Sequence, residues 1–319
     1  MRIKNPLEEY LIRYLDLPSI IEGYIPDWHN TNLLNGNCMC PFHEDKKPSL
    51  QIFEDGGAKC YGCGFTARNI VELVARMEDI SIGDSRDLLY QDIVKTICDE
   101  RVAALHAELS KPARAHILNH LEVNRNLPIR IISEFQLGYD IKSNRVTIPI
   151  RDQFGYCVNI RKYDWTGKTK EKMLNTRGFG KVRLFPENLA FLEKKLLLVE
   201  GEMDCLCARQ FGLPAVTWTG GCNSWNRDFN WIFQDKAIWV LYDGDKAGYK
   251  AQQRALDELD HLSDHVKDLD PLGKEGKDIT DWSFSCPVKL TMLSSEIKRF
   301  KFEEKKEKRI CPTCKRPLP

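Results

Sequence analysis

Charge bias is almost absent from this chain. Its 319 residues carry 47 Lys and Arg against 46 Asp and Glu, a formal net charge of +1, so it is no uniform polycation that coats nucleic acid by charge alone. Long apolar runs are absent too. Met1 to Ile25 mixes Lys4, Glu8, Glu9, Arg13 and Asp16 among its apolar residues, and no uninterrupted stretch approaches the roughly 18 residues of a membrane span. Secretion and membrane insertion are therefore not expected. There is no internal repeat, no low-complexity tract and no Gly-x-x-x-x-Gly-Lys-Ser/Thr loop, which argues against a solenoid and a P-loop motor. With 42% hydrophobic and 29% charged residues, the composition is that of a protein with packed cores, in two or three domains.

Cysteine, by contrast, is plentiful: there are 12. Without an export signal they point to a reducing compartment, where thiols pack as small hydrophobes or bind metal. Spacing separates the two uses. Cys40-Pro41-Phe42-His43 and Cys60-Tyr61-Gly62-Cys63 are two pairs with two residues inside each and sixteen between them. A two-residue step lets a tight knuckle aim both donors at one ion, and three thiolates with one imidazole close a tetrahedral zinc shell. Such a site contributes about 10–16 kcal/mol, enough to fold a segment with little core of its own. Cys38 is an alternative to Cys40, but the Cys-x-x-His step makes the better knuckle. Cys311-Pro312-Thr313-Cys314 looks like half a knuckle, and two ligands do not close a site, so it reads as a remnant or as plain thiols. Cys98, Cys157, Cys205, Cys207, Cys222 and Cys286 have no paired spacing and are expected to pack.

Turn residues and charge changes divide the chain into a zinc-binding domain over 1–77, a helical linker over 78–111, an α/β segment over 112–193, a second α/β segment over 194–286 and a basic tail over 287–319. Leu88, Leu89, Ile93, Val94 and Ile97 repeat at helical spacing in the linker. Arg145 to Ile150 and Tyr156 to Tyr163 flank the turn Asp152-Gln153-Phe154-Gly155 and read as a hairpin. Leu196 to Val199 and Ala237 to Leu241 are compact apolar strands, each leading into a helix, which implies a mostly parallel sheet. The fold class expected is α+β and multidomain.

Acidic residues gather where these strands end. Glu200-Gly201-Glu202-Met203-Asp204 follows the first, Tyr242-Asp243-Gly244-Asp245 follows the second, and Gly276-Lys277-Asp278-Ile279-Thr280-Asp281 comes later. The C-terminal ends of parallel strands are where open α/β sheets build their sites. Carboxylates crowded on one edge repel unless a divalent cation neutralises them, and hard oxygen donors favour Mg²⁺ or Mn²⁺. In the zinc segment, Lys46, Lys47, Lys59 and Arg68 stand among Phe42, Phe53, Tyr61 and Phe65, a mixture that suits phosphate pairing and base stacking. Phe42 and Phe53 are expected in the small core, and Lys47 and Lys59 are the better contact candidates.

The run Cys-Pro-Phe-His-Glu-Asp-Lys-Lys-Pro-Ser-Leu from Cys40, the Cys60-Tyr-Gly-Cys-Gly that follows and the helix Asn69 to Val74 resemble the zinc ribbon of bacterial and phage replicative DNA primases. From about Lys194 to Trp282, the order strand, Glu-Gly-x-x-Asp, helix, strand, Asp-Gly-Asp-x-Ala-Gly, helix, Lys-Asp resembles the Toprim fold of the same enzymes. Arg145-Val146-Thr147-Ile148-Pro149-Ile150-Arg151, Asn159-Ile160-Arg161, Lys172-Met173-Leu174-Asn175 and Gly180-Lys181 follow the order of the subdomain that precedes Toprim in primase cores. The resemblance implies catalytic and metal-binding roles for Glu200, Asp243, Asp245 and Asp278, with Asp281 a second candidate for the last position. It implies a basic ridge of Arg145, Arg161, Lys172 and Lys181, and a ribbon that reads template DNA. The activity implied is synthesis of short RNA primers on single-stranded DNA from ribonucleoside triphosphates, by a stand-alone phage or mobile-element type of primase. Structural zinc, catalytic Mg²⁺ or Mn²⁺, a separate replicative hexameric helicase as partner and a cytoplasmic location, in a bacterium or phage-infected host, go with it. Two alternatives stay open: a Toprim nuclease or topoisomerase, and a non-catalytic relative that binds single-stranded DNA or recruits helicase. Asp204 either serves catalysis or caps its helix.

Overall fold

The computed structural model describes residues 5–25, 28, 37–269 and 278–301. The chain divides into two compact units, Met1–Lys95 and Thr96–Pro319. Gly276, Lys277, Cys311 and Cys314 lie outside the described residues.

In the first unit, α1 (Pro6–Tyr14) and α2 (Leu17–Tyr24) precede an antiparallel sheet of β1 (Asn37–Cys38), β2 (Leu50–Ile52), β3 (Ala58–Cys60) and β4 (Thr66–Ala67), ordered as in the chain, and α3 (Ile70–Met77) and α4 (Ile82–Ile93) follow. Strand alternation turns Leu50, Ile52, Ala58 and Cys60 inward and Phe53, Lys59 and Tyr61 outward. Phe53, expected in the core, is 42% exposed because it falls on the outward register. Phe42 does pack, stacked on Phe65 at 3.9 Å between ring centres. Asn69 caps α3 by accepting from the Glu72 amide at 3.1 Å, and the helix buries Ile70, Val71, Leu73, Val74 and Ala75. Arg86 of α4 donates to Glu8 of α1 at 2.9 Å.

The expected linker is thus divided. α4 belongs to the first unit, the chain turns extended at Val94, and Ile97 pairs with Cys157 in the second unit instead of continuing a helix. There α5 (Asp99–Leu109), α6 (Ala115–Arg125) and α7 (Ile129–Glu134) lead to an antiparallel sheet of β5 (Gly138–Asp140), β6 (Arg145–Arg151), β7 (Cys157–Tyr163) and β8 (Met173–Leu174). β6 and β7 are the expected hairpin, and Asp152 builds its turn by accepting from the amides of Phe154 and Tyr156 at 2.9 and 3.0 Å. Cys98, expected to pack, is exposed at the start of α5.

The second sheet runs β13-β12-β10-β11-β9, from β9 (Leu184–Phe185), β10 (Lys195–Leu198), β11 (Ala215–Trp218), β12 (Ala237–Val240) and β13 (His265–Asp268). All are parallel except β9 at the edge. α8 (Glu187–Leu192), α9 (Glu202–Gln210), α10 (Lys246–Leu259), α11 (Ile279–Ser285) and α12 (Pro287–Arg299) complete the unit. Its core is Leu196, Leu198, Val216, Trp218, Ile238 and Val240 with Phe233, Ala251 and Leu259. The expected tail therefore starts as structure: Pro287 opens α12, Leu290 and Ile297 are buried, and Ser294 donates to the Gly212 carbonyl at 3.0 Å.

Gly138 shows how closely α5 rests on β5. A Cβ there would stand 2.6 Å from the carbonyl carbon of Leu105 and 2.8 Å from the amide nitrogen of His106, and neither backbone atom can rotate away. Gly138→Val should therefore lower stability by about 1–3 kcal/mol or more, read as a reduced denaturant midpoint with unchanged zinc content. An unchanged midpoint would contradict this packing.

Candidate active site and zinc centre

Cys40, His43, Cys60 and Cys63 converge, their ligand atoms all within 4.8 Å of one another. The Sγ atoms of Cys40 and Cys63 are 3.9 Å apart, as are Sγ of Cys60 and Nδ1 of His43. Zn–S bonds of about 2.3 Å in a tetrahedron separate sulfurs by about 3.8 Å, so the donors already stand along the edges of a zinc shell. The Asp45 carboxylate accepts from the Cys40 amide at 3.1 Å and from the Ser49 hydroxyl at 2.6 Å, and lies 3.6 Å from Nε2 of His43. It stands behind both knuckles, the usual place for a carboxylate that orients a ligating imidazole. Burial pushes the Cys40 thiol up to about 12. Burial also opposes the Cys60 thiolate, yet the Ser49 hydroxyl and the amides of Cys63 and Gly62 bring it down to about 6, a ligand ready for a cation. Cys38 turns away and donates to the Leu50 carbonyl at 3.4 Å, so the ligand set begins at Cys40. This is a structural zinc site.

The carboxylates meet at the C-terminal edge of the parallel sheet. β10 and β12 are neighbours in register, Leu198 opposite Val240, so the segments that leave them run side by side and the Asp243 amide donates to Glu200 Oε2 at 3.3 Å. Thr217 of β11 donates to the Glu200 carbonyl at 2.9 Å. Asp245 caps α10 by accepting from the Gly248 amide at 2.7 Å. Gly248 is required there, since a Cβ would come within 2.2 Å of the Asp243 carbonyl oxygen. Asp278 and Asp281 form a reciprocal capping box that starts α11. Both carboxylates thus serve the cap, and the Asp278 charge also acts on Asp204. Asp204 neither caps nor meets solvent: it is buried on α9 and accepts from the Thr280 hydroxyl at 3.0 Å. Burial, then the Asp278 charge, pushes it up to about 6. Burial and the charges of Asp204, Glu200, Asp278 and Asp245 push Asp243 up to about 8. Among the described residues only the Cys/His group has its ligand atoms gathered within 4.8 Å; the carboxylates are coupled through their charges at longer range. An all-oxygen donor set whose most crowded member resists ionisation fits a hard divalent cation.

The expected cations separate into two kinds. Lys47, Lys59, Lys172 and Lys181 are exposed. Lys59 lies over the Tyr61 ring at 5.0 Å, and Lys181 stands 3.1 Å from Asp228. Arg145 and Arg161, also expected on the ridge, are only 4% and 7% exposed. Arg145 donates to the carbonyls of Lys162, Lys172 and Glu171 and to Thr169. Arg161 pairs with Glu202 at 2.7 Å. The alternation that puts Val146 and Ile148 in the core does not by itself reveal that these arginines are buried as well.

Comparison with known proteins adds to this geometry. Residues 3–104 match the CHC2 zinc finger family and residues 197–282 the Toprim-like family. A DNA primase of Chlamydia trachomatis is 26% identical over 318 residues, covering 78% of this chain and 52% of that protein. One of Clostridium acetobutylicum is 25% identical, covering 76% and 51%. The chain is similar to DnaG-type DNA primases. It spans about half the length of the curated primases it matches. The zinc-binding and RNA polymerase domains of the Aquifex aeolicus primase share its fold with a TM-score of 0.50 at 21% identity, over 92% of this chain and 86% of that one. The RNA polymerase domain of Mycobacterium tuberculosis primase does so with 0.51 at 17%, over 63% and 81%.

Some features of the acidic site had little sequence signal. Gln252, in the middle of α10, reads as a surface residue, yet it is buried, accepts from the Tyr242 amide at 2.8 Å and donates to Asp268 at 2.5 Å and the Leu269 carbonyl at 3.0 Å. It ties together the segments leaving β12 and β13. Asp204 was visible in the sequence as a further acidic position, but its burial was not. Cys222, half-buried, packs against the core as expected, and its thiol is pushed up to about 12 by burial and then by Glu200 beside it.

Cys60→Ala should release zinc and unfold the ribbon, while the second unit keeps its own transition. Metal content and the first of two thermal transitions read this out. Full zinc occupancy in Cys60→Ala would remove that residue from the ligand set.

Proposed function

We propose that the chain is a DNA-templated primase that joins ribonucleotides into short RNA primers on single-stranded DNA. The observation that carries this reading is the convergence of Glu200, Asp204, Asp243 and Asp278 at one sheet edge, in a chain whose zinc-finger match precedes its Toprim-like match. Glu200, Asp243, Asp245 and Asp278 would hold Mg²⁺ or Mn²⁺. Bound there, the cation would supply acidity toward a 3′-hydroxyl and charge for the leaving pyrophosphate. The chain's own residues do the rest: the capped turns at Asp245 and Asp278 aim the carboxylates, and exposed Lys172 and Lys181 face phosphate oxygens. On the ribbon, Lys59 beside Tyr61, with Lys47, suits an unpaired template strand.

A replicative hexameric helicase as partner and a cytoplasmic place of work belong to the same proposal. No helix among the described residues is long and apolar enough to cross a membrane. The order of ribbon and Toprim gives no support to the nuclease or topoisomerase reading.

With single-stranded DNA, ribonucleotides and Mg²⁺ or Mn²⁺, the wild type should make labelled primers, and Asp243→Ala/Asp245→Ala should lose activity by about 100-fold or more. A fully active double variant overturns the site, and a wild type inactive on every template overturns the reading. The pH dependence has a definite sign. With its carboxyl pushed up to about 8, Asp243 is protonated below that pH in the cation-free protein, and a cation needs it ionised. The Mn²⁺ concentration for half-maximal activity should fall by about tenfold per unit as pH rises toward that value, then level off. A pH-independent midpoint contradicts the protonated Asp243.

A further inference from the structure

Two of the four expected ridge cations are buried, and both brace the strip that carries a third. That strip, Lys172 to Asn175, contains β8, the edge strand of the antiparallel sheet. At one end Arg145 donates to the carbonyls of Lys172 and Glu171 at 3.3 and 2.8 Å, and the Asp164 amide donates to the Lys172 carbonyl at 2.9 Å. At the other end Asn175 Oδ1 accepts from Asn159 at 2.8 Å and from Nη1 of Arg161 at 2.9 Å. Arg161 is seated by Glu202, whose Oε1 lies 2.7 Å from its Nε, with the two side chains 8% and 4% exposed.

Glu202 opens α9 two residues beyond Glu200. A continuous set of contacts therefore runs from the first acidic motif through Arg161 and Asn175 to the strip, and the Lys172 side chain is exposed within electrostatic reach of Glu202 and Asp204. A desolvated ion pair is a poor device for stability alone, because losing water offsets much of the attraction. What it provides is a fixed geometry, and phosphate recognition by one flexible ammonium depends on where its backbone is held.

We propose that Glu202 is a positioning residue: by holding Arg161, and through it Asn175, it sets where Lys172 stands beside the carboxylates and so how a phosphate group docks there. The inference rests on the primase reading only for what carries the phosphate, an incoming nucleotide or a nucleic-acid strand.

The test uses the full chain. Equilibrium binding of ATP with Mn²⁺ and, separately, of a labelled single-stranded oligodeoxynucleotide is measured for wild type, Lys172→Ala, the pair Arg161→Met/Glu202→Met, and the three changes together, beside primer synthesis. Methionines fill similar volume without an unpaired charge, and thermal midpoint and zinc content check the fold. The Met pair should weaken one ligand by about fivefold or more and raise the KM for that ligand more than it lowers kcat, and its effect should vanish in the Lys172→Ala background. The ligand affected identifies the source of the phosphate. Losses that simply add to that of Lys172→Ala, or a Met pair that binds both ligands like wild type, overturn the proposal. Should the Met pair not fold, Glu202→Gln is read in the same cycle: a loss masked by Lys172→Ala supports the role, and wild-type binding overturns it. A wild type that makes no primer refutes the primase reading, while the binding cycle still decides the role of Glu202.

Discussion

Bringing Glu200, Asp204, Asp243 and Asp278 to one edge of a sheet is opposed by both burial and mutual repulsion, and the second unit is organised so that the fold overcomes both. Parallel pairing of β10 with β12 holds Glu200 and Asp243 side by side whether or not they prefer it. Gln252 fastens the segments beyond β12 and β13, and Thr280 gives Asp204 a hydroxyl where water is excluded. The Asp243 carboxyl, pushed up to about 8, records the remaining conflict. A cation relieves what the backbone enforces, so the repulsion among these carboxylates favours binding one.

The first unit treats metal in the opposite way. Its three cysteine sulfurs and one imidazole, a softer donor set than carboxylates, lie within 4.8 Å of one another and are backed by Asp45. A closed shell of that kind holds a small sheet together and leaves no position for a substrate. The outward registers of β2 and β3, with Lys59, Tyr61 and Phe53, are what remain for contact.

Between these extremes lie the arginines. A cation on a strand next to an acidic site suggests a phosphate ligand, and the Lys172 side chain fits that use. Arg145 and Arg161 do not, because their guanidinium groups are already satisfied by carbonyls, Asn175 and Glu202. Planar, multi-donor guanidinium suits bracing several acceptors at once, and ammonium on a mobile stem suits a ligand that comes and goes.

Local pattern was enough to bring out the Cys40, His43, Cys60 and Cys63 group that the structure gathers, the hairpin of β6 and β7, the strands β10 and β12 and the carboxylates that end them, because each depends on residues close in the chain: a two-residue knuckle, an Asp-Gly turn, a run of apolar residues before an acid. Tertiary contact decided the rest. Which arginines face solvent, that Phe53 lies on the outer face, that Ile97 belongs to the second unit, that Pro287–Arg299 is a packed helix and that Asp204 and Gln252 are buried all depend on partners far away in sequence, such as Glu202, Cys157, Gly212, Thr280 and Leu269. A sequence with balanced charge and no long apolar run states which groups are available; only the packing of distant elements decides which of them keep their water and which must find a partner.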